Sequence, residues 1–165
     1  MFSNNNEEKI NWEYVKTIEL IKELHKDQTD KIGQPYYMHP IMVSDFMGNA
    51  SSDEIIAALL HDVVEDCGIS VEDLRVFGYN ENIIEMVRLV SRTPDIKEKM
   101  TYLEWIQSIV DSGNTGAMRI KYADNLHNSL PWRLNKLPTE EHSIYNRYMK
   151  SMRILAKGLG IKSID

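Results

Sequence analysis

A helix that is apolar on every side and then ends in a block of charges is the strongest constraint in this sequence. The stretch Ile55–Asp66, IIAALLHDVVED, opens with a run from Ile55 to Leu60 that leaves no polar face. A helix of that kind belongs at the centre of a core. Ser51 or Ser52 can cap its start, and Asp53 and Glu54 suit the positive end of the helix dipole. His61, Asp62, Glu65 and Asp66 follow. On one continuous helix, at about 100° per residue, these four span roughly 140° and point into one space. Charged groups are rarely buried unless they are paired or bound to a metal. Two readings follow: a core helix surfacing into solvent at its end, or a set of ligands around a divalent cation.

The chain of 165 residues is long enough for one domain with a proper core. Hydrophobic residues at 42% and charged residues at 27% describe a soluble globular protein and not a disordered one. No apolar run is long enough to span a membrane, and MFSNNNEEKI has neither the basic nor the apolar region of a secretion signal. Cys67 is the only cysteine, which fits a reducing, cytoplasmic setting. A net charge of −6 argues against a surface for duplex nucleic acid, but not against a small anionic substrate. A metal ion and a few local cations can dominate a pocket's field. Oligomeric state is not legible.

The remaining periodicity is helical throughout, and the expected class is all-α, with about seven or eight helices in one domain. Residues 1–8 are polar and read as a flexible terminus, and 9–160 as the domain. Ile10, Tyr14, Ile18, Ile21 and Leu24 make the stripe of a first helix, with His25 near its end. The loop TDKIGQPYYM, punctuated by Gly33 and Pro35, leads to His39-Pro40 at the start of a second helix. After the central helix, Ser70 and Asp73 form a capping box and Asn80 caps a helix to about Ser91. Thr93-Pro94-Asp95 reads as a break, and residues 98–111 as another helix. Thr115 to Leu130 form a helix that Pro131 ends; Lys121, Asp124 and Asn128 share one of its faces. After a linker, a last helix runs from Thr139 to about Leu159.

Four potential ligands stand out, in the order His39, His61-Asp62, Asp124, from three separate helices. Two imidazoles and two carboxylates suit Mn²⁺, Fe²⁺ or Zn²⁺. Water filling the remaining positions of such a site can ionise near neutral pH. Glu65 and Asp66, one turn beyond His61-Asp62, are placed to orient or deprotonate that water. Lys121 and Asn128 can contact phosphate oxygens, or Asn128 a sugar or base. Asp124 taken alone also reads as one half of a salt bridge.

The ordered set H…HD…D resembles the signature of the HD-domain metal-dependent phosphohydrolases. The likeness is closer to one branch. GQPYYMHP, AALLHDVVED, FGYNENIIEMVRLVSR and IKYADNLHN are similar, in order, to blocks of the RelA/SpoT-type alarmone hydrolases and their small single-domain relatives. The blocks cover about His25 to Leu130. The resemblance implies an all-α HD domain. It also implies one divalent ion, usually Mn²⁺ with Fe²⁺, Zn²⁺ or Mg²⁺ as alternatives, held by His39, His61, Asp62 and Asp124. Glu65 and Asp66 then serve catalysis, and Lys31, Tyr36, Lys121 and Asn128 are the candidate substrate contacts. The implied reaction removes the 3′-pyrophosphate from guanosine penta- or tetraphosphate.

Two departures bear on the substrate. Asp30 stands where the family carries an arginine that packs on guanine, and Asn125 where K-x-A-D-R carries another. An arginine-to-aspartate exchange reverses charge. Lys31, Arg92 and Lys26 are candidates to compensate. The departures favour an alternative, a nucleotidase or triphosphohydrolase on other nucleotides or a 3′-phosphatase on a cofactor. A binding module without turnover and a purely structural helical domain are the readings outside enzymology.

Overall fold

Helix α3, Ser52–Leu60, occupies the middle of the molecule because its sequence offers no side to water. Ile56 to Leu60 are at most 2% exposed. Each large aliphatic side chain so buried contributes about 1.5–3 kcal/mol. The capping reading resolves to Ser51: its hydroxyl accepts from Glu54 N while the Glu54 carboxylate accepts from Ser51 N at 2.7 Å. The structure is a computed structural model that describes residues 4–162, with side chains from Trp12 onward. Helix α1, Asn4–Leu24, starts earlier than the stripe that opens at Ile10 suggests and packs on α3. Ile10, part of the expected stripe, lies outside the described side chains. Helix α2, Met38–Phe46, and α6, Glu81–Val90, also pack on α3, as does α9, Thr115–Asn128. Outside this group, α8, Tyr102–Asp111, and α11, Ser143–Gly158, pack on each other and on α9.

The described residues form an all-α domain, as the sequence implies, with eleven α-helices where seven or eight are expected. The extra ones are short: α4, Val63–Asp66; α7, Pro94–Lys99; α10, Pro131–Leu134. Helix α5, Val71–Val76, has the expected Ser70–Asp73 box. Pro94 and Pro131 each begin a helix where a break or a linker is expected, since proline at the first position loses no hydrogen bond. The central stretch is not one helix either. It breaks at His61-Asp62, where His61 Nδ1 lies 2.7 Å from Ala58 O and Asp62 sits at φ −102°. No described helix is long and apolar enough to cross a membrane.

Candidate metal centre and cavity

Three mutually packed helices deliver the four candidate ligands. His39 lies in the first turn of α2, His61 and Asp62 directly follow α3, and Asp124 is on the buried face of α9. His39 Nε2 is 3.0 Å from Asp124 Oδ1 and 3.5 Å from Asp62 Oδ2. His61 Nε2 is 3.0 Å from Asp62 Oδ2 and 3.8 Å from Asp124 Oδ1. His39, His61 and Asp62 each offer one ligand atom, all within 4.8 Å of one another. Asp124 joins through its approach to both imidazoles.

The hydrogen bonds behind the cluster fix what each imidazole presents. A carbonyl only accepts, so His61 Nδ1–H donates to Ala58 O, and in the neutral ring Nε2 carries the lone pair. That Nε2 is buried and has no hydrogen-bond partner among the described residues, since the Asp62 carboxylate beside it is not aligned for one. His39 Nδ1 is 2.7 Å from His127 Nδ1. Burial, and then the charges of His39 and Arg133, hold the His127 pKa down at about 3, so it stays neutral and accepts. His39 then donates from Nδ1 and turns its Nε2 inward, toward Asp124 and Asp62. Asp124 is fixed from two sides: Lys121 Nζ donates to Oδ2 at 2.5 Å and Asn128 Nδ2 to Oδ1 at 2.7 Å.

The field in the cluster is that of a cation site. Burial alone would lower the His61 pKa, yet the Asp62 carboxylate, and then Asp124, lift it to about 10. Burial works to raise Asp62 and Asp124 as well, but their cationic neighbours hold both below the usual carboxylate range: His61 and His39 for Asp62, Lys121 and the two histidines for Asp124. Two ionised carboxylates and two inward Nε2 atoms, whose protons a metal ion would displace, fit a divalent ion.

The other expected site residues separate into groups. The Tyr36 hydroxyl donates to Asp62 Oδ2 at 2.8 Å and lies 3.2 Å from Asp66 Oδ2. Burial, and then the facing Asp62 and Asp66 charges, push the Tyr36 pKa up, which keeps it a neutral donor. Asp66 is raised by burial and then by Asp62 and Glu65. Glu65 turns elsewhere: it accepts from Arg92 N at 3.0 Å and pairs with Lys97 of α7 at 2.9 Å. The expected common arc of His61, Asp62, Glu65 and Asp66 is therefore not formed in full: Asp62 and Asp66 share the Tyr36 hydroxyl, and Glu65 is drawn to Arg92 and Lys97. His25 is 1% exposed with its ring against Tyr36, and is not just a helix-end residue.

A cavity of about 240 Å³ opens beside the cluster. His39, Tyr36 and Asn128 line one part of it, Asp30 and Arg133 another, and Ile32, Leu137, Ile144 and Tyr148 supply apolar wall. Lys31 reaches it but is half exposed and ion-paired with Glu141. Lys121 is not among the lining residues; its ammonium is buried behind Asp124, over the Trp105 ring. Of the two departures, Asn125 lies away from the cavity, fully buried between Tyr102 of α8 and Ser151 of α11. Arg92 and Lys26 do not line it either. Arg133 does, and the sequence reading missed it, as it missed His127. For His127 the signal was there: it sits one turn beyond Asp124 on α9.

An all-helical domain with a two-histidine, two-aspartate cation cluster beside a cavity is the class that fold and site define. The HD domain family model matches residues 17–112, and the chain belongs to the HD-domain family. Membership implies a divalent metal site, and the matched range holds His39, His61 and Asp62, stopping short of Asp124. A guanosine-3′,5′-bis(diphosphate) 3′-pyrophosphohydrolase of Borreliella burgdorferi is 31% identical over 90% of the chain, which covers 23% of that protein. The bifunctional (p)ppGpp synthase/hydrolase SpoT of Escherichia coli is 29% identical over 88% of the chain, covering 21% of SpoT. The chain thus spans less than a quarter of the length of these curated relatives. Among solved structures, a metazoan ortholog of SpoT that hydrolyzes ppGpp aligns with a TM-score of 0.66 at 22% identity. That alignment covers 91% of this chain and 97% of the other, and it supports the fold.

Proposed function

We propose that this chain is a metal-dependent phosphohydrolase that removes pyrophosphate from the 3′ position of guanosine tetra- or pentaphosphate. The observation that carries the reading is the convergence of His39, His61, Asp62 and Asp124 on one another beside a cavity with apolar and polar sides, which His39 lines. The similarity to proteins named for this reaction supports it. His39, His61, Asp62 and Asp124 would hold one divalent ion, with Mn²⁺ the first choice for a mixed imidazole and carboxylate set. When bound, such an ion supplies an acidified water and polarises a phosphoryl oxygen. The chain's own residues do the rest. Asp66, its pKa raised, can take a proton and hand it to the leaving group. Tyr36 holds Asp62 and Asp66 in register through one hydroxyl. Asn128 fixes Asp124 with its amide nitrogen and lines the cavity. Glu65, paired with Lys97, acts through position and not as the base. The thiol of Cys67, pushed up to about 11 by burial and then by Asp66, is a spectator suited to a reducing, cytoplasmic setting.

The test is a product analysis. Purified protein with Mn²⁺ is incubated with guanosine tetra- and pentaphosphate, the adenosine counterpart, common NTPs and dNTPs, and 3′-phosphorylated cofactors, and products are resolved by ion exchange. Pyrophosphate and GDP from guanosine tetraphosphate are expected, with Asp62→Ala inactive. Turnover of another nucleotide alone would reassign the substrate.

A further inference from the structure

Arg133 and Asp30 form a buried ion pair in the wall of the cavity, their side chains 11% and 6% exposed. The pair joins two segments far apart in sequence, the loop before α2 and the short helix α10. Asp30 is committed on both oxygens. Its Oδ1 accepts from Ile32 N at 3.0 Å and Gln34 N at 2.8 Å, and its Oδ2 accepts from Arg133 Nη1 at 2.9 Å. Asp30 is thus built into its loop and does not face a ligand with free acceptors. Arg133 is the opposite. Among the described residues its guanidinium makes one hydrogen bond, and its other N–H donors have no protein partner.

Building on the hydrolase reading above, we infer that Arg133 is the specificity-determining residue of this cavity: held by Asp30, it donates to the acceptor edge of a guanine base. A phosphate would have to sit beside the Asp30 carboxylate and compete with it for a cation already neutralised at 2.9 Å. A neutral base carries no such penalty. Guanine shows two acceptors, O6 and N7, on one edge, and a guanidinium meets both at once; adenine puts an amino donor beside N7 and opposes the same fork. Ile32, Leu137 and Ile144 give the flat faces of a base apolar contact, and the anionic groups have the cation cluster beside His39. The charge exchange at position 30 is in this way answered by an arginine from another helix.

The experiment is calorimetric binding of GDP and ADP in Mn²⁺ buffer, run beside hydrolysis of guanosine tetraphosphate and its adenosine counterpart. Wild type should prefer GDP. Arg133→Ala should weaken GDP by about 10- to 100-fold and leave ADP within about threefold. Arg133→Lys keeps the charge opposite Asp30 and with it the fold, checked by thermal unfolding, but loses the fork, so GDP should weaken there too. Equal losses for GDP and ADP, no loss in either variant, or a wild type without preference each overturn the inference. Arg133-dependent GDP preference in a protein that hydrolyses neither tetraphosphate overturns the proposed reaction and leaves the inference standing. Hydrolysis that is indifferent to Arg133 does the reverse.

Discussion

Lys121 and Asp124 stand one turn apart on α9, both buried, and each makes the other tolerable. Burial would lower the lysine's pKa, but the aspartate beside it raises it, so the ammonium stays charged. Lys121→Met leaves the Asp124 carboxylate buried against an apolar chain. Removing one partner of a buried pair costs about 3–5 kcal/mol, so the unfolding free energy from urea titration should fall by that amount. Mn²⁺ should restore more stability to this variant than to wild type, because it replaces the lost cation. His127 acts one step behind His39. His127→Phe keeps a ring of similar size and removes the acceptor for His39 Nδ1–H. Metal affinity, read by titration, should drop by about 10- to 100-fold with the fold intact; an unchanged affinity would show that His39 needs no orienting partner. At this scale the sequence was informative where chemistry forces a residue type. Buried His-Asp pairs ask for a cation, so His39, His61, Asp62 and Asp124 stand out in the sequence as candidate ligands, and the fold brings their side chains together. Roles set by direction were not legible. Glu65 and Asp66 are neighbours in sequence, yet one faces Lys97 and the other Tyr36.

At the level of elements, long apolar stripes and capping boxes announced themselves, and short proline-led helices did not. Helix α10 is one of these, and it brings Arg133 onto the Asp30 loop. Nothing in a local pattern says that a four-residue helix will fold back on a loop read a hundred positions earlier; the contact is tertiary. The pair is one of the contacts that tie that loop to the rest of the domain, beside Lys31–Glu141 and Tyr36–Asp62, and its pH dependence has a definite sign. Burial works to raise the Asp30 pKa, but the N–H groups of Gln34 and Ile32, and then Arg133, outweigh it and lower it. A carboxylate with a lowered folded-state pKa stabilises the fold fully above its unfolded value, about 3.9, and loses that contribution as pH falls through the folded value. Asp30→Asn should therefore cost about 1–3 kcal/mol at pH 6.5. The gap to wild type should close below about pH 4. Urea midpoints of the two proteins across pH 2.5–7 measure it, and a gap that persists at the acid end would mean the pair contributes nothing through its charge.

The whole molecule is organised so that its candidate metal site and its core are the same structure. The helix whose apolar residues fill the centre ends in His61-Asp62, and two of the helices packed against it, α2 and α9, carry His39 and Asp124. The unfolded chain has no such arrangement, so an ion that binds the folded state alone stabilises it by mass action. The fold class was readable at this scale because no segment carries the alternation of a strand. What stayed hidden is how tightly α2, α3 and α9 are coupled, which depends on contacts no periodicity encodes. That coupling predicts a global effect. Free Mn²⁺ at about 100 times its dissociation constant should add about 2.7 kcal/mol to unfolding, and thermal unfolding should shift upward as one transition. Chelation should reverse the shift, and Asp62→Ala should not respond to the ion at all. If the metal instead stabilised only part of the chain, unfolding followed by Trp105 fluorescence, beside Lys121, would part from unfolding followed by far-ultraviolet circular dichroism. Separate transitions would place the cluster in a unit that opens independently of the core, against the packing of α2 and α9 on α3.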